Sequence, residues 1–287
     1  AFVCALQLGR VYVITLFVME YFFNQPSRGT PHMARRKTNP NLTVIENYNS
    51  DAQTVKQKST LKMRVDDLVT IDALTETQGL FLSEYTRDAK AMLLHGCAGT
   101  GKTYIALYRA LEEVLTRGNP YKKVVIIRSA VPSREIGHLP GDETEKTAVY
   151  MQPYIDMCAD LFPTKQQAFQ RLIEQKHIDW MITSFVRGIT LDNAVIIVDE
   201  CQNMNDMEIN SIITRVGHNS KIIFCGDFRQ TDLYKRGDMS GLQKFMIIAD
   251  NMPSFRTFEF GTDDIVRSDL VKEYLIALIK YEEEYGT

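Results

Sequence analysis

Four short apolar runs punctuate the chain: "AMLLHG" (91–96), "KKVVIIRSA" (122–130), "NAVIIVDE" (193–200) and "KIIFCGD" (221–227). Each is aliphatic at consecutive positions rather than alternate ones. Strands of that kind are buried on both faces, which is the mark of a parallel sheet. Between them lie stretches with helical spacing. "TYIALYRALEEVLTRG" carries such a pattern up to a stop at Gly118, and "DMEINSIITRV" carries one between the last two runs. Further helices are predicted over 153–162, 164–175, 240–250 and 263–283, with a weaker strand around 177–183 and another in "SFRTFEF". Val131 to Gln152 reads as a long polar loop. Strands separated by helices predict an α/β fold in which helices flank one parallel sheet. No internal repeat is visible.

The N-terminal part follows different rules. "VYVITLFVMEYFF" is apolar, but Glu20 interrupts it, and it is shorter than the ~20 residues a spanning helix needs. No small-residue cleavage site follows it, so a secretory signal fits poorly. Met33 opens "MARRKTNPN" as a plausible start, which makes 1–32 an extension rather than a stable membrane anchor. Residues 33–70 are rich in Asn, Thr and Lys with few large apolar side chains, and are expected to be flexible. Arg35, Arg36 and Lys37 could touch a nucleic acid, although a solvated tail is the commoner explanation for such a cluster. The expected organisation is an extension and polar arm over 1–70 and one catalytic domain over 71–287.

Composition narrows the classes. Of 287 residues, 45% are hydrophobic and 24% charged, enough for a sizeable core. A net charge of −3 excludes a globally basic nucleic-acid binder but leaves room for a local patch. The five cysteines, at 4, 97, 158, 201 and 225, form no C-x-x-C pair, which suits reduced thiols in the cytoplasm. The histidines show no zinc-site spacing.

Gly96-Cys97-Ala98-Gly99-Thr100-Gly101-Lys102-Thr103 fits G-x-x-x-x-G-K-[ST], between a predicted strand and a predicted helix. Glycines allow successive N–H groups to turn inward around a phosphate, and the helix N-terminus adds its positive dipole end. Lys102 is expected at the β- and γ-phosphates, and the Thr103 hydroxyl at Mg²⁺. A carboxylate for the metal should come from a neighbouring strand end. "AVIIVDE" offers Asp199 for Mg²⁺ and Glu200 to take a proton from the attacking water. "KIIFCGD" ends in Asp227, with Gln230 beyond it, placed to sense the γ-phosphate or orient water.

With "DECQN", "TRVG", "GDFRQTDL", "RSAV…IGHLPGDETEK", "FVRGITLDNAVIIVDECQN", "SGL" and "DDIVRSDLV" in ordered succession, residues 72–282 closely resemble the PhoH family of P-loop ATPases. The resemblance implies a single RecA-like core related to superfamily 1 helicases. In such a core the strand ending at Asp227 lies between the phosphate-loop strand and the Asp199 strand. It further implies that Gln78 in "TETQGLF" reads adenine, and that Gln202 couples nucleotide state to other motifs. Arg267 would act as a finger on the transferring phosphate, from its own chain or from a neighbour in a ring; a plain helix-surface arginine is the alternative. Arg128, Arg187 and Arg215 also fall in family-like blocks. Cys97 and Ser129 stand where prolines are usual, and neither change removes a functional group.

The function expected from this reading is Mg²⁺-dependent ATP hydrolysis coupled to remodelling of single-stranded RNA or DNA, in a homo-oligomer such as a hexameric ring. A regulatory or assembly ATPase acting on protein partners is the alternative. A small-molecule kinase would want an arginine-rich lid, whereas the 131–152 loop mixes Arg134 and Lys146 with Asp142, Glu143 and Glu145.

Overall fold

The computed structural model describes residues 62–86, 88–129, 143–227 and 241–285, with backbone alone for 143–148 and 241–243. All described residues belong to one compact unit, 62–287.

Six strands form one sheet: β1 (Ala91–Gly96), β2 (Lys123–Arg128), β3 (Ile178–Ile182), β4 (Ala194–Asp199), β5 (Lys221–Gly226) and β6 (Phe255–Phe260). Their order is β3-β2-β4-β5-β1-β6, and every pairing is parallel. All C-terminal strand ends therefore meet on one edge, where open α/β sheets place their ligands. β1, β4 and β5 are buried at all six positions, as their unbroken apolar runs require. The helices are α1 (Glu76–Glu84), α2 (Lys102–Leu115), α3 (Glu143–Leu161), α4 (Ala168–Glu174), α5 (Asp206–Ile213), α6 (Gly241–Asp250) and α7 (Asp269–Tyr285). Among the described residues, no helix is long and apolar enough to cross a membrane.

The expected position of β5, between the phosphate-loop strand and the Asp199 strand, is the observed one. Three expectations need correction. Residues 143–152 are helical rather than loop, so α3 begins ten residues before its predicted start and carries Pro153 in its interior. A proline at 153 points to a helix start, for which its missing N–H suits it. Met151, Tyr154, Cys158 and Leu161, all buried at helical spacing, hold the longer helix against the core. The predicted 263–283 helix is divided into a 3₁₀ turn at Thr262–Asp264 and α7. Main-chain bonding diverts the intervening segment, where Val266 N–H donates to the Gly99 carbonyl at 3.0 Å. Residues 62–70 also join the domain: Met63 is buried, its N–H donates to Gln175 Oε1 at 2.9 Å, and Asp67 pairs with Lys165 at 3.0 Å.

Candidate active site

β1 delivers the chain into the glycine-rich loop at Gly96, whose φ is +121°. β6 runs alongside in register with it, and a Cβ on Gly96 would lie 2.1 Å from the Phe260 carbonyl oxygen. Only glycine fits so close to a neighbouring backbone. Gly99 and Gly101 follow with φ of +74° and +79°, curling the loop before α2 starts at Lys102. Lys102 is 5% exposed, and its ammonium meets three acceptors: the Cys97 carbonyl at 2.6 Å, Thr100 Oγ1 at 3.2 Å and Asp227 Oδ1 at 2.6 Å. Three donors with three partners leave no unsatisfied proton in this buried place.

Asp199 closes β4 beside this loop. Its Oδ1 accepts the Thr103 hydroxyl at 2.7 Å, and its Oδ2 accepts the Tyr154 hydroxyl at 2.6 Å. Glu200 follows in the left-handed region at φ +53°, a conformation that redirects its side chain after the strand. Gln202 Nε2 donates to Glu200 Oε2 at 2.6 Å, while Gln202 Oε1 accepts the Asp227 N–H at 3.1 Å. Arg128, at the end of β2, brings Nη2 to 3.7 Å from Glu200 Oε1. Burial raises the Glu200 pKa above the ordinary carboxylate value, and the neighbouring Asp199 charge raises it further. The Gln202 hydrogen bond and the Arg128 charge pull it partly back.

The donor set suits Mg²⁺. Thr103, in the first turn of α2, and Asp199, at the end of β4, present oxygens side by side, as a hard cation requires. Among the described residues no group of three or more His, Cys, Asp and Glu could hold a metal.

The other predicted residues distribute unevenly. Gln78 is buried at the start of α1, its Nε2 donating to the Thr100 carbonyl and its Oε1 accepting the Leu74 N–H, both at 2.9 Å. The amide thus ties the loop at Thr100 to the segment that leads into α1. Arg267 is exposed, and its Cγ would lie 2.9 Å from a Cβ on Gly99, so its stem covers the loop of its own chain. Arg187 is exposed just past edge strand β3. The Arg215 carbonyl accepts the Leu191 N–H at 2.8 Å, ahead of β4 and at the end of the sheet away from the loop. Gln230 lies outside the described residues. Sequence reasoning missed Tyr154. Its signal was the Tyr150–Tyr154 spacing, hidden because the helix is expected to begin only at 153.

The strand order, the loop geometry and the carboxylate at the end of β4 define a P-loop NTPase domain of the RecA-like type. Residues 70–279 match the family model described as PhoH-like protein, and the chain belongs to that family. It is 36% identical over 186 residues to a PhoH-like protein of Bacillus subtilis, covering 64% of this chain and 57% of that one. It is 32% identical over 183 residues to protein PhoH of Escherichia coli, covering 63% and 51%. The chain thus spans little more than half the length of such relatives. Among solved structures, the large terminase of a thermophilic bacteriophage in complex with ADP aligns at 12% identity and a TM-score of 0.43, covering 74% of this chain and 49% of that one. The Hef helicase domain of Pyrococcus furiosus aligns at 11% and 0.39, covering 66% and 39%. At those scores the fold assignment rests on the sheet order, not on the likeness.

Proposed function

We propose that this domain binds and hydrolyses ATP with Mg²⁺, and that hydrolysis drives remodelling of single-stranded RNA or DNA. One observation carries the hydrolytic part: Lys102, Thr103, Asp199, Glu200 and Asp227 converge at the C-terminal ends of the adjacent strands β4, β5 and β1. Loop N–H groups and the α2 N-terminus would take the phosphates. Lys102 would exchange Asp227 for the γ-phosphate. Mg²⁺, held by Thr103 and Asp199, would supply charge neutralisation to the phosphate oxygens. Glu200, made more basic by burial, would accept the proton of the attacking water. Gln202, bonded both to Glu200 and to the Asp227 main chain, would hold that base relative to the strand end that meets the γ-phosphate. Arg267 already lies over Gly99 of its own chain, so a finger role needs no neighbouring subunit.

The nucleic-acid part rests on the family's helicase-like pattern, and the location expected from it is cytoplasmic. The alternative, a regulatory ATPase ring, is favoured by α7. There Leu270, Tyr274, Tyr281 and Tyr285 are all exposed and share one helix face, a surface suited to a protein partner. Phosphate release measured with and without single-stranded polynucleotides, together with mass in solution with and without nucleotide, separates the readings. Stimulation by polynucleotide supports the first. Nucleotide-dependent assembly without stimulation supports the second, and no phosphate release overturns both.

A further inference from the structure

Helix α3 reaches both carboxylates of the site through tyrosines one turn apart. Tyr154 is wholly buried and donates to Asp199 Oδ2 at 2.6 Å. The Tyr150 ring lies 5.6 Å from the Arg128 guanidinium, which in turn stands 3.7 Å from Glu200. Residues i and i+4 share a helix face, so one element addresses both acids.

Asp199 carries two acceptor oxygens, and each receives one hydroxyl. Thr103 must give up or share its contact when a cation arrives, because that contact lies between two metal-ligating groups. The Tyr154 contact lies on the other oxygen and need not change. A carboxylate fixed by one oxygen keeps the other aimed at its ligand. Left free, it would rotate about its Cβ–Cγ bond and lose part of the metal's coordination geometry. Partners of this kind, acting through a ligand rather than on the metal, typically set about 10–100-fold in metal affinity.

The geometry points to Tyr154 as a positioning residue that fixes Asp199 for the divalent cation, a role that rests on the ATPase reading above. Tyr154 touches no reacting atom. The competing account is a core tyrosine whose hydroxyl merely finds an acceptor.

The two accounts separate in nucleotide binding, without turnover. A fluorescent ADP analogue is titrated against the full chain in EDTA and in saturating Mg²⁺, and the ratio of the two dissociation constants is read. Tyr154→Phe keeps the ring that fills the core. It is expected to leave the EDTA value within about twofold and to cut the Mg²⁺ enhancement by about tenfold. In an Asp199→Asn background the same change should do nothing further, since the tyrosine acts through that carboxylate. An unchanged ratio in Tyr154→Phe, or a full additional loss in the double variant, overturns the role. If Tyr154→Phe fails to fold, 4-fluorophenylalanine at 154 fills the space of the hydroxyl without donating, so the Mg²⁺ enhancement should again fall, and an enhancement equal to that of wild type overturns the role. Wild type that binds no nucleotide at all sinks the ATPase reading and this role with it. Wild type with a normal enhancement that the variants share sinks only the role of Tyr154.

Discussion

Lys102 Nζ and Asp227 Oδ1 lie 2.6 Å apart, so the buried cation that ends the glycine-rich loop is paired with a carboxylate. The pair is asymmetric: the lysine side chain is 4% exposed and the aspartate 42%. Water screens the aspartate and limits its hold. A phosphate must displace or share that partner, and the two anions repel. Asp227→Asn should therefore tighten binding of a nonhydrolysable ATP analogue by about 1.4- to fivefold, in line with roughly 0.2–1 kcal/mol for a pair that water screens on one side. Lys102→Ala should weaken it. Calorimetry with Mg²⁺ present checks both, and weaker binding by Asp227→Asn would mean that this carboxylate serves the ligand.

Glu200 must be ionised to accept a proton, and burial together with Asp199 raises its pKa. The acid limb of kcat/KM should accordingly lie above the range of an ordinary glutamate. Stability runs the other way. A carboxyl whose folded pKa is raised contributes stability that is present below its unfolded pKa, about 4.3, and lost as pH rises through the folded value. Mild acid should thus stop turnover while circular dichroism stays native. Glu200→Gln should bind ATP normally and lose about 10²–10⁴-fold in kcat. Gln202→Ala removes a hydrogen bond that lowers the Glu200 pKa, so the acid limb should move to still higher pH. A limb that stays put in Gln202→Ala would show that another group titrates.

Gln78 spans the loop and α1 with both ends of its amide in main-chain bonds. Each end of the amide has a second hydrogen-bonding capacity beyond its main-chain bond, so these bonds leave room for a base contact. Gln78→Ala should weaken ATP and GTP alike where the side chain only holds Thr100, and should weaken ATP more where it also reads adenine. Paired titrations with the two nucleotides test this, and a loss confined to ATP supports the base-reading role.

The legible parts of this molecule are those whose physics is local. Val195 to Val198 and Ile222 to Phe224 announce doubly covered strands because nothing polar interrupts them, and the glycines at 96, 99 and 101 announce a backbone that only glycine adopts. The hidden parts depend on distant partners. The Tyr154 hydroxyl meets Asp199 across 45 residues, which no local spacing encodes. Helix α3 is obscured because Pro153 resembles a start signal in the middle of it. Ile265 and Val266 carry helical spacing, but the Ile265 N–H closes the 3₁₀ turn on the Thr262 carbonyl and the Val266 N–H braces Gly99.

Gly96 provides the sharpest steric test. Its φ of +121° is foreign to L side chains, and an added Cβ would meet the Phe260 carbonyl oxygen at 2.1 Å. That atom belongs to the main chain of a paired strand, so it cannot swing aside. Gly96→Ala should cost about 3 kcal/mol and lower Tm by roughly 6–12 °C. Gly118→Ala shares a positive φ but would find no heavy atom within 4 Å, so its cost should be strain alone, about 1 kcal/mol. Thermal unfolding of the two variants separates clash from conformational strain.

Lys221 and Glu113 form an ion pair at 2.9 Å at the sheet edge opposite the site, with the lysine side chain fully buried and the glutamate 10% exposed. Lys221 also donates to the Thr86 carbonyl and sits 3.9 Å from the centre of the Tyr85 ring, whose hydroxyl donates to Glu113 at 2.7 Å. Burial lowers the Lys221 pKa, while the Glu113 contact opposes that shift. Removing either charge strands the other in a site with little water, a change that costs about 3–5 kcal/mol in comparable buried pairs. Lys221→Met and Glu113→Gln should each destabilise the fold strongly. The double variant should recover most of the loss, because no uncompensated charge remains and the replacements keep the volume. Denaturant unfolding of the four proteins closes the cycle, and simple additivity of the two losses would show that the pair is not coupled.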